Sequence, residues 1–418
     1  MLKKALMFVF AVALFIGSFS VVSSTAYASQ PYTSYLYNVW GDPVPAPNAY
    51  EPKTVIRGQQ LGIGPFNNPS DIVYDRKSGQ VYLVDTGNSR IVVMDRSGNL
   101  VSVIRELDNG GRKESLNEPQ GIFIRDGEIY VADTQNSRIV VIDPEGNVLR
   151  EFGRPETDMI DGTIAWLPKK IAVDSAGRIY VIATGVNSGL VELDKNGDFR
   201  TFTGANTVSY SVWEYMLKQI STREQKARMT LYVPTEYSNM AMDDENFIYV
   251  TTSANVSGTV DPVRKLNAKG NDILRRLGYV DVVGDIRTMD GTTSSLVDIA
   301  VDKYGVYSIL DYKSGRIFTY DNDGNLLSVF GDIGYQMGNL QSPTALEYVE
   351  DDIYVTDNIM NSITVYAQTE YGAAIKEATY QYYLGDYRKS AEYWETVLQY
   401  NANCDLAYIG MGRIFLRN

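Results

Sequence analysis

The sequence predicts an all-β, six-bladed β-propeller followed by a short α-helical segment. Three observations lead there. First, residues 81–99 read VYLVDTGNSRIVVMDRSGN and residues 129–147 read IYVADTQNSRIVVIDPEGN, a near-duplicate. Self-similarity at a period of about fifty residues marks a repeat architecture. Each copy holds two apolar strands, Val81–Val84 then Ile91–Met94, and Ile129–Val131 then Ile139–Ile142. An Asp-Thr-x-Asn-Ser-Arg turn joins the two strands, and an Asp-x-x-Gly-Asn turn follows them. A third strand, Asp71–Tyr74 or Gly121–Ile124, comes before each pair, behind Pro69 or Pro119. Second, this unit recurs from anchors at 69, 119, 168, 237, 296 and 343, with spacings of 50, 49, 69, 59 and 47. Tyr237 and Leu296 stand where Pro is expected. Six copies of a four-stranded unit close radially into a propeller. Third, the apolar period turns helical after Tyr371.

At these residues the chain resembles the NHL-repeat family. That family's pattern runs from a Pro through an apolar strand ending in Asp, then Gly-x-Ile-Tyr-Val-x-Asp, then Asn-x-Arg-Ile. The match is close in the first two units and good in the fifth. In the third and fourth, Ala183 and Thr251 replace the Asp found at Asp85, Asp133, Asp311 and Asp357. The resemblance covers residues 53–371 and implies a fold, not a function.

The elements follow in chain order. Residues 1–28 have the form of an export signal: Lys3 and Lys4, an apolar run through Phe19, then Ala26-Tyr27-Ala28 as a cleavage site. An uncleaved membrane anchor is the alternative, and no Cys sits beside the cleavage site to carry a lipid. Residues 29–52, rich in Tyr and Pro, read as an extended lead-in. Residues 53–371 form the propeller. Its last unit lacks an outer strand, and Thr54–Arg57 has the position and β-branched composition to fill that gap. An insertion at 205–236 interrupts it. There Trp213, Met216, Leu217 and Ile220 form a helical stripe, and Ser221-Thr222-Arg223-Glu224 has the capping-box form. The insertion is expected to cover the propeller mouth as a lid, or to fill the gap between two irregular blades.

Residues 372–418 read as tetratricopeptide-like helices. Gly385-Asp386-Tyr387, Trp394, Val397 and Leu398 suit the second helix of one repeat. Tyr408, Met411, Gly412 and Phe415 suit the first helix of the next, with Ser390 and Ala402 departing from the usual residues. The repeat is expected to be incomplete at Asn418, leaving Tyr408, Ile409, Met411, Ile414 and Phe415 uncovered and the chain prone to self-associate.

Composition narrows the function. The net charge of −13 repels phosphate backbones, so nucleic acid is an unexpected partner. A single Cys forbids an intramolecular disulfide and suits an extracytoplasmic Gram-positive protein, secreted or held at the cell surface. The chain has no His, which excludes Ser-His-Asp triads, His-ligated metals and an imidazole base. No catalytic residue, metal ligand or cofactor is therefore predicted. A carboxylate and amide site for Ca2+, of the kind used by gluconolactonase-like propellers, remains open.

Propeller geometry places the long loops Leu107–Glu118, Arg154–Trp166, 205–236 and Tyr279–Ser295 on one face, and the tight Gly turns on the other. Trp166, Tyr210, Trp213, Tyr237 and Arg287 are the candidate ligand-binding residues of the loop-rich face, because Tyr and Trp stack on sugar rings or peptide side chains. Packing between blades is the competing role for these rings. Asp85, Asp133, Asp311 and Asp357 recur once per blade, which favours turn caps partnered by Arg90, Arg138 and Arg316 over a ligand site. The Asp-x-x-Gly-Asn turns are hairpin turns, not calcium loops. The reading is an exported binding or scaffold protein for protein or glycan ligands, with a protein partner on the helices. A calcium-dependent gluconolactonase-like hydrolase or glycan-processing lyase is the alternative.

Overall fold

Antiparallel four-stranded sheets, most of them built from consecutive chain, dominate the computed structural model, which describes residues 31–205, 236–252, 261–286 and 294–416. The expected leader (1–28), the insertion helix with Tyr210 and Trp213, and Arg287 lie outside the described residues. The first blade shows the plan: Pro69–Asp75, Gln80–Asp85, Arg90–Asp95 and Leu100–Ile104 pair in order from the axis outwards. The innermost strands of the other blades are Gly121–Arg125, Pro168–Val173, Asn239–Met242, Leu296–Val301 and Pro343–Val349. Six blades result. The fourth has three full strands, its outer position marked by a bridge between Leu266 and Asp272.

The apolar alternation of each strand is buried between neighbouring blades. Tyr82, Val84, Ile91 and Val93 of the first blade interlock with Ile122, Ile129 and Val131 of the second. Because both faces of a blade are covered, the second strands read as continuous apolar runs.

The sixth blade is completed from the other end of the chain. Tyr50–Ile56 lies along Ser362–Gln368, with Ile56 opposite Ile363 and Tyr50 opposite Gln368. The strand begins four residues earlier than the β-branched composition suggested, because Tyr50 and Ile56 are the buried ends of the segment. The lead-in also carries structure the sequence did not reveal. Tyr35–Tyr37 and Pro43–Pro45 form a hairpin, and Tyr35 pairs with Val329 to extend the fifth blade outwards. Pro tolerates such an edge position because no ladder hydrogen bond is required of it there.

Three helices follow the propeller: α1 (Glu370–Tyr383), α2 (Tyr387–Tyr400) and α3 (Asp405–Phe415). Thr369 caps α1 by accepting from the Gly372 amide at 3.1 Å, and Asp386 caps α2 through the Lys389 amide at 3.1 Å. Helix α1 sits directly on the closing strand. A Cβ at Gly372 would fall 2.2 Å from the Ala49 carbonyl oxygen, so only glycine allows the approach. Lys376 is buried between Asp302 at 3.4 Å and Asp351 at 3.2 Å, with its ammonium 4.9 Å from the Tyr304 ring centre. At the far end, the Asp405 carboxylate accepts the Val39 amide of the N-terminal hairpin at 2.9 Å.

This packing covers part of the face expected to be open and leaves part of it exposed. Leu406, Ala407 and Ile414 are buried in the same apolar cluster as α1, α2 and the fifth blade, while Tyr408 and Phe415 stay exposed. The register of α3 also differs from the tetratricopeptide spacing. Gly412 has open space around it, whereas a Cβ at Gly410 would come within 2.4 Å of the Trp394 indole nitrogen. The close approach lies two residues earlier, where Gly410 meets the Trp394 indole of α2.

Two outcomes follow. A chain starting at residue 59 should melt well below one starting at residue 29, because it lacks the closing strand; equal melting temperatures would show that the sixth blade closes without it. Lys376→Met leaves Asp302 buried without its cation and should cost about 3–5 kcal/mol in chemical denaturation. Adding Asp302→Asn should restore part of that loss.

Candidate functional site

Short polar turns on the loop-rich face are held by buried carboxylates. Asp85 accepts the Asn67 amide at 2.7 Å and pairs with Arg90 at 2.6 Å, both side chains being buried. Asp133 repeats this with the Asn117 amide at 2.7 Å and Arg138 at 2.9 Å. Asp311 accepts the Ser295 amide at 2.7 Å and the Ser314 hydroxyl at 2.7 Å. Asp357 accepts the Gln341 and Ser342 amides at 2.6 and 2.9 Å. Each carboxylate thus ties the turn after its own strand to the chain entering the blade. Arg316 departs from its expected role. Its guanidinium turns from Asp311 to Asp285 at 2.7 Å and lies 5.2 Å from the Tyr35 ring centre, because the N-terminal hairpin brings that ring to the fifth blade.

Two of the candidate ligand-binding rings are described, and both are closed to solvent. Trp166 is 3 % exposed, packed with Ile160 and Val186. Tyr237 is 5 % exposed and spans two blades, donating to the Gly204 carbonyl and accepting from Arg264 at 2.8 Å. Both rings therefore fill space between blades, the competing role weighed for them.

The axis of the propeller holds a channel of about 230 Å³. Asp71, Lys170, Asn239 and Asp298 occupy equivalent positions near the start of the inner strands. Lys170 pairs with Asp71 at 2.7 Å, and Asn239 donates to Asp298. Asp298 also accepts the Leu346 amide at 2.6 Å and the Ile299 amide at 2.8 Å. At the opposite end Arg76 crosses the channel to Asp244 at 3.0 Å. Burial raises the Asp298 carboxyl to about 7 and the Glu347 carboxyl, on the inner strand of the next blade, to about 8. A gluconolactonase-like calcium site would need several free oxygen ligands converging here. Among the described residues no such group of three acidic or Cys side chains forms, and Asp71 and Asp298 are engaged by the protein's own donors.

A larger cleft of about 480 Å³ opens on the other face, between the short turns of the fifth blade and the three helices. Tyr304, Tyr380, Tyr382, Tyr383, Tyr387 and Trp394 line it. Tyr304 and Tyr380 meet edge to face at 4.6 Å, and Tyr382 and Tyr387 are tilted at 5.4 Å. Arg275 pairs with Asp323 at 3.0 Å on the rim, and Arg413 enters from the last turn of α3. Asp321, pushed up to about 6 by burial, accepts the amides of Asp323 and Asn325 from its own turn at 2.9 and 2.8 Å. The sequence offered one signal for this site, the run from Tyr380 to Tyr387, which carries four tyrosines around a helix end.

The family model described as NHL repeat matches residues 66–94 and 116–142. No curated protein sequence matches. Among solved structures, virginiamycin B lyase from Staphylococcus aureus is 14 % identical, with TM-score 0.42 over 70 % of this chain and 78 % of that one. A luciferin-regenerating enzyme is 12 % identical, with TM-score 0.46 over 75 % and 94 %. The Cps50 (Swd1) β-propeller domain from Myceliophthora thermophila is 10 % identical, with TM-score 0.45 over 76 % and 99 %.

The channel carboxylates give a pH signature. The folded pKa of Asp298 lies above its unfolded value, so its stabilising contribution is complete below about pH 4 and is lost as pH rises through about 7. The melting temperature should therefore rise between about pH 8 and pH 5. Asp298→Asn should flatten that segment, measured by calorimetry; an unchanged slope would remove Asp298 as its source.

Proposed function

We propose that this NHL-repeat propeller is an exported, non-catalytic binding protein whose blades and helices together form one ligand-binding scaffold. The observation that carries this reading is the cleft at the seam of the fifth blade and α1–α3. It is concave, lined by aromatic rings with a few polar groups, and of a size that holds ligands. In the channel the Asp298 acceptor positions face the protein's own donors, which argues against Asp298 as the acid or base of a hydrolase. The chain has no His to replace it. NHL propellers in general mediate protein interactions, which supports a macromolecular partner. The charge of −13 favours protein or glycan over nucleic acid. Export rests on the basic, apolar and small-residue order of residues 1–28.

The test is metal dependence and turnover together. Removing divalent cations with EDTA should leave the melting temperature unchanged, and lactones or polysaccharides incubated with the protein and Ca2+ should be recovered intact. A calcium-dependent rise of several degrees, or product formation, would replace this reading with the lactonase or lyase, because a ligand held only by the folded state must stabilise it.

A further inference from the structure

We propose that the cleft between the fifth blade and α1–α3 binds a neutral oligosaccharide, an assignment that rests on the binding-protein reading above. The aromatic lining is the first reason. Tyr304, Tyr380, Tyr382, Tyr387 and the exposed Tyr383 surround one space of about 480 Å³, within the range of about 300–1,000 Å³ typical of ligand pockets. Tyr offers a flat apolar face to the C–H side of a pyranose and keeps its hydroxyl for water or sugar hydroxyls.

The polar groups among those rings are the second reason. Arg275 and Asp323 face each other on the rim, Asn322 donates to the Tyr304 carbonyl at 3.2 Å, and Arg413 approaches from α3. Two arginines and two aspartates, Asp321 and Asp323, balance in formal charge, which suits an uncharged ligand. The planar side chains offer donors and acceptors side by side, and adjacent sugar hydroxyls both donate and accept.

A proline-rich peptide is the rival occupant, since aromatic grooves also bind such segments. Proline has no N–H, so the Asp323 acceptors would face an extended proline-rich backbone with few donors to give them. Trp394, 2 % exposed, backs these rings from α2, with Gly410 of α3 packed against its indole.

The experiment titrates the full chain by calorimetry with cellohexaose, xylohexaose, mannohexaose, laminarihexaose, maltohexaose and chitohexaose, and separately with a proline-rich decapeptide. At least one oligosaccharide should bind. Tyr383→Ala and Arg413→Ala, both with unchanged melting temperature, should each weaken it tenfold or more, while Tyr335→Ala, altering an exposed tyrosine away from the cleft, should bind normally. No binding by any oligosaccharide overturns the proposal, as does binding that ignores both cleft variants. Peptide binding sensitive to the cleft variants overturns the sugar and leaves the binding-protein reading standing. New reducing ends, released from a sugar whose binding both cleft variants weaken, would instead overturn the non-catalytic reading while upholding the ligand class.

Discussion

The pairing of Tyr50–Ile56 with Ser362–Gln368 is the constraint on which the rest of the molecule depends. A propeller whose last blade takes one strand from the start of the chain and three from its later part leaves only short outer edges, and this ladder is where the two parts join. The same segment then fixes what lies outside the ring. The Ala49 carbonyl, just before the strand, receives the Thr369 amide at 3.0 Å and leaves room at Gly372 for hydrogen alone. Helix α1 is thereby aimed across the fifth blade, Lys376 meets Asp302, and the cleft acquires its helical wall. The hairpin ahead of the closing strand adds a second hold, at Val39 and Asp405.

Most of the ring was legible in the sequence because its physics is local. Alternating strands, Asp-capped turns and a recurring anchor are each written within a few residues, and the buried Asp85–Arg90 and Asp133–Arg138 pairs repeat the same short motif. The closing strand could also be placed, since the last unit visibly lacked a partner. The hairpin at Tyr35–Tyr37 and Pro43–Pro45 was illegible for the opposite reason. Its prolines argue against a strand, and only the free edge offered by Val329, nearly three hundred residues away, makes one.

The candidate cleft was not legible in place. The aromatic surplus directs attention to stacking surfaces, yet Trp166 and Tyr237 place their rings between blades. Loop length drew attention to one face, whereas the cleft forms on the face of short turns, because docked helices supply its other wall. No periodicity in the tail announces that docking. It depends on the approach at Gly372, on the Lys376 charge finding Asp302, and on the small side chain of Ser390 meeting the Ala378 carbonyl at 2.7 Å. In α3 the tight contact is made by Gly410 and not Gly412, against Trp394 of α2.

Ring closure also governs the order in which the molecule can assemble. The strand at Tyr50–Ile56 leaves the ribosome early, but its only neighbour in the sheet, Ser362–Gln368, arrives roughly three hundred residues later. Such distant pairing slows the final folding step, since loop-closure entropy must be met before the contact forms. Until then the first segment remains extended and unpaired.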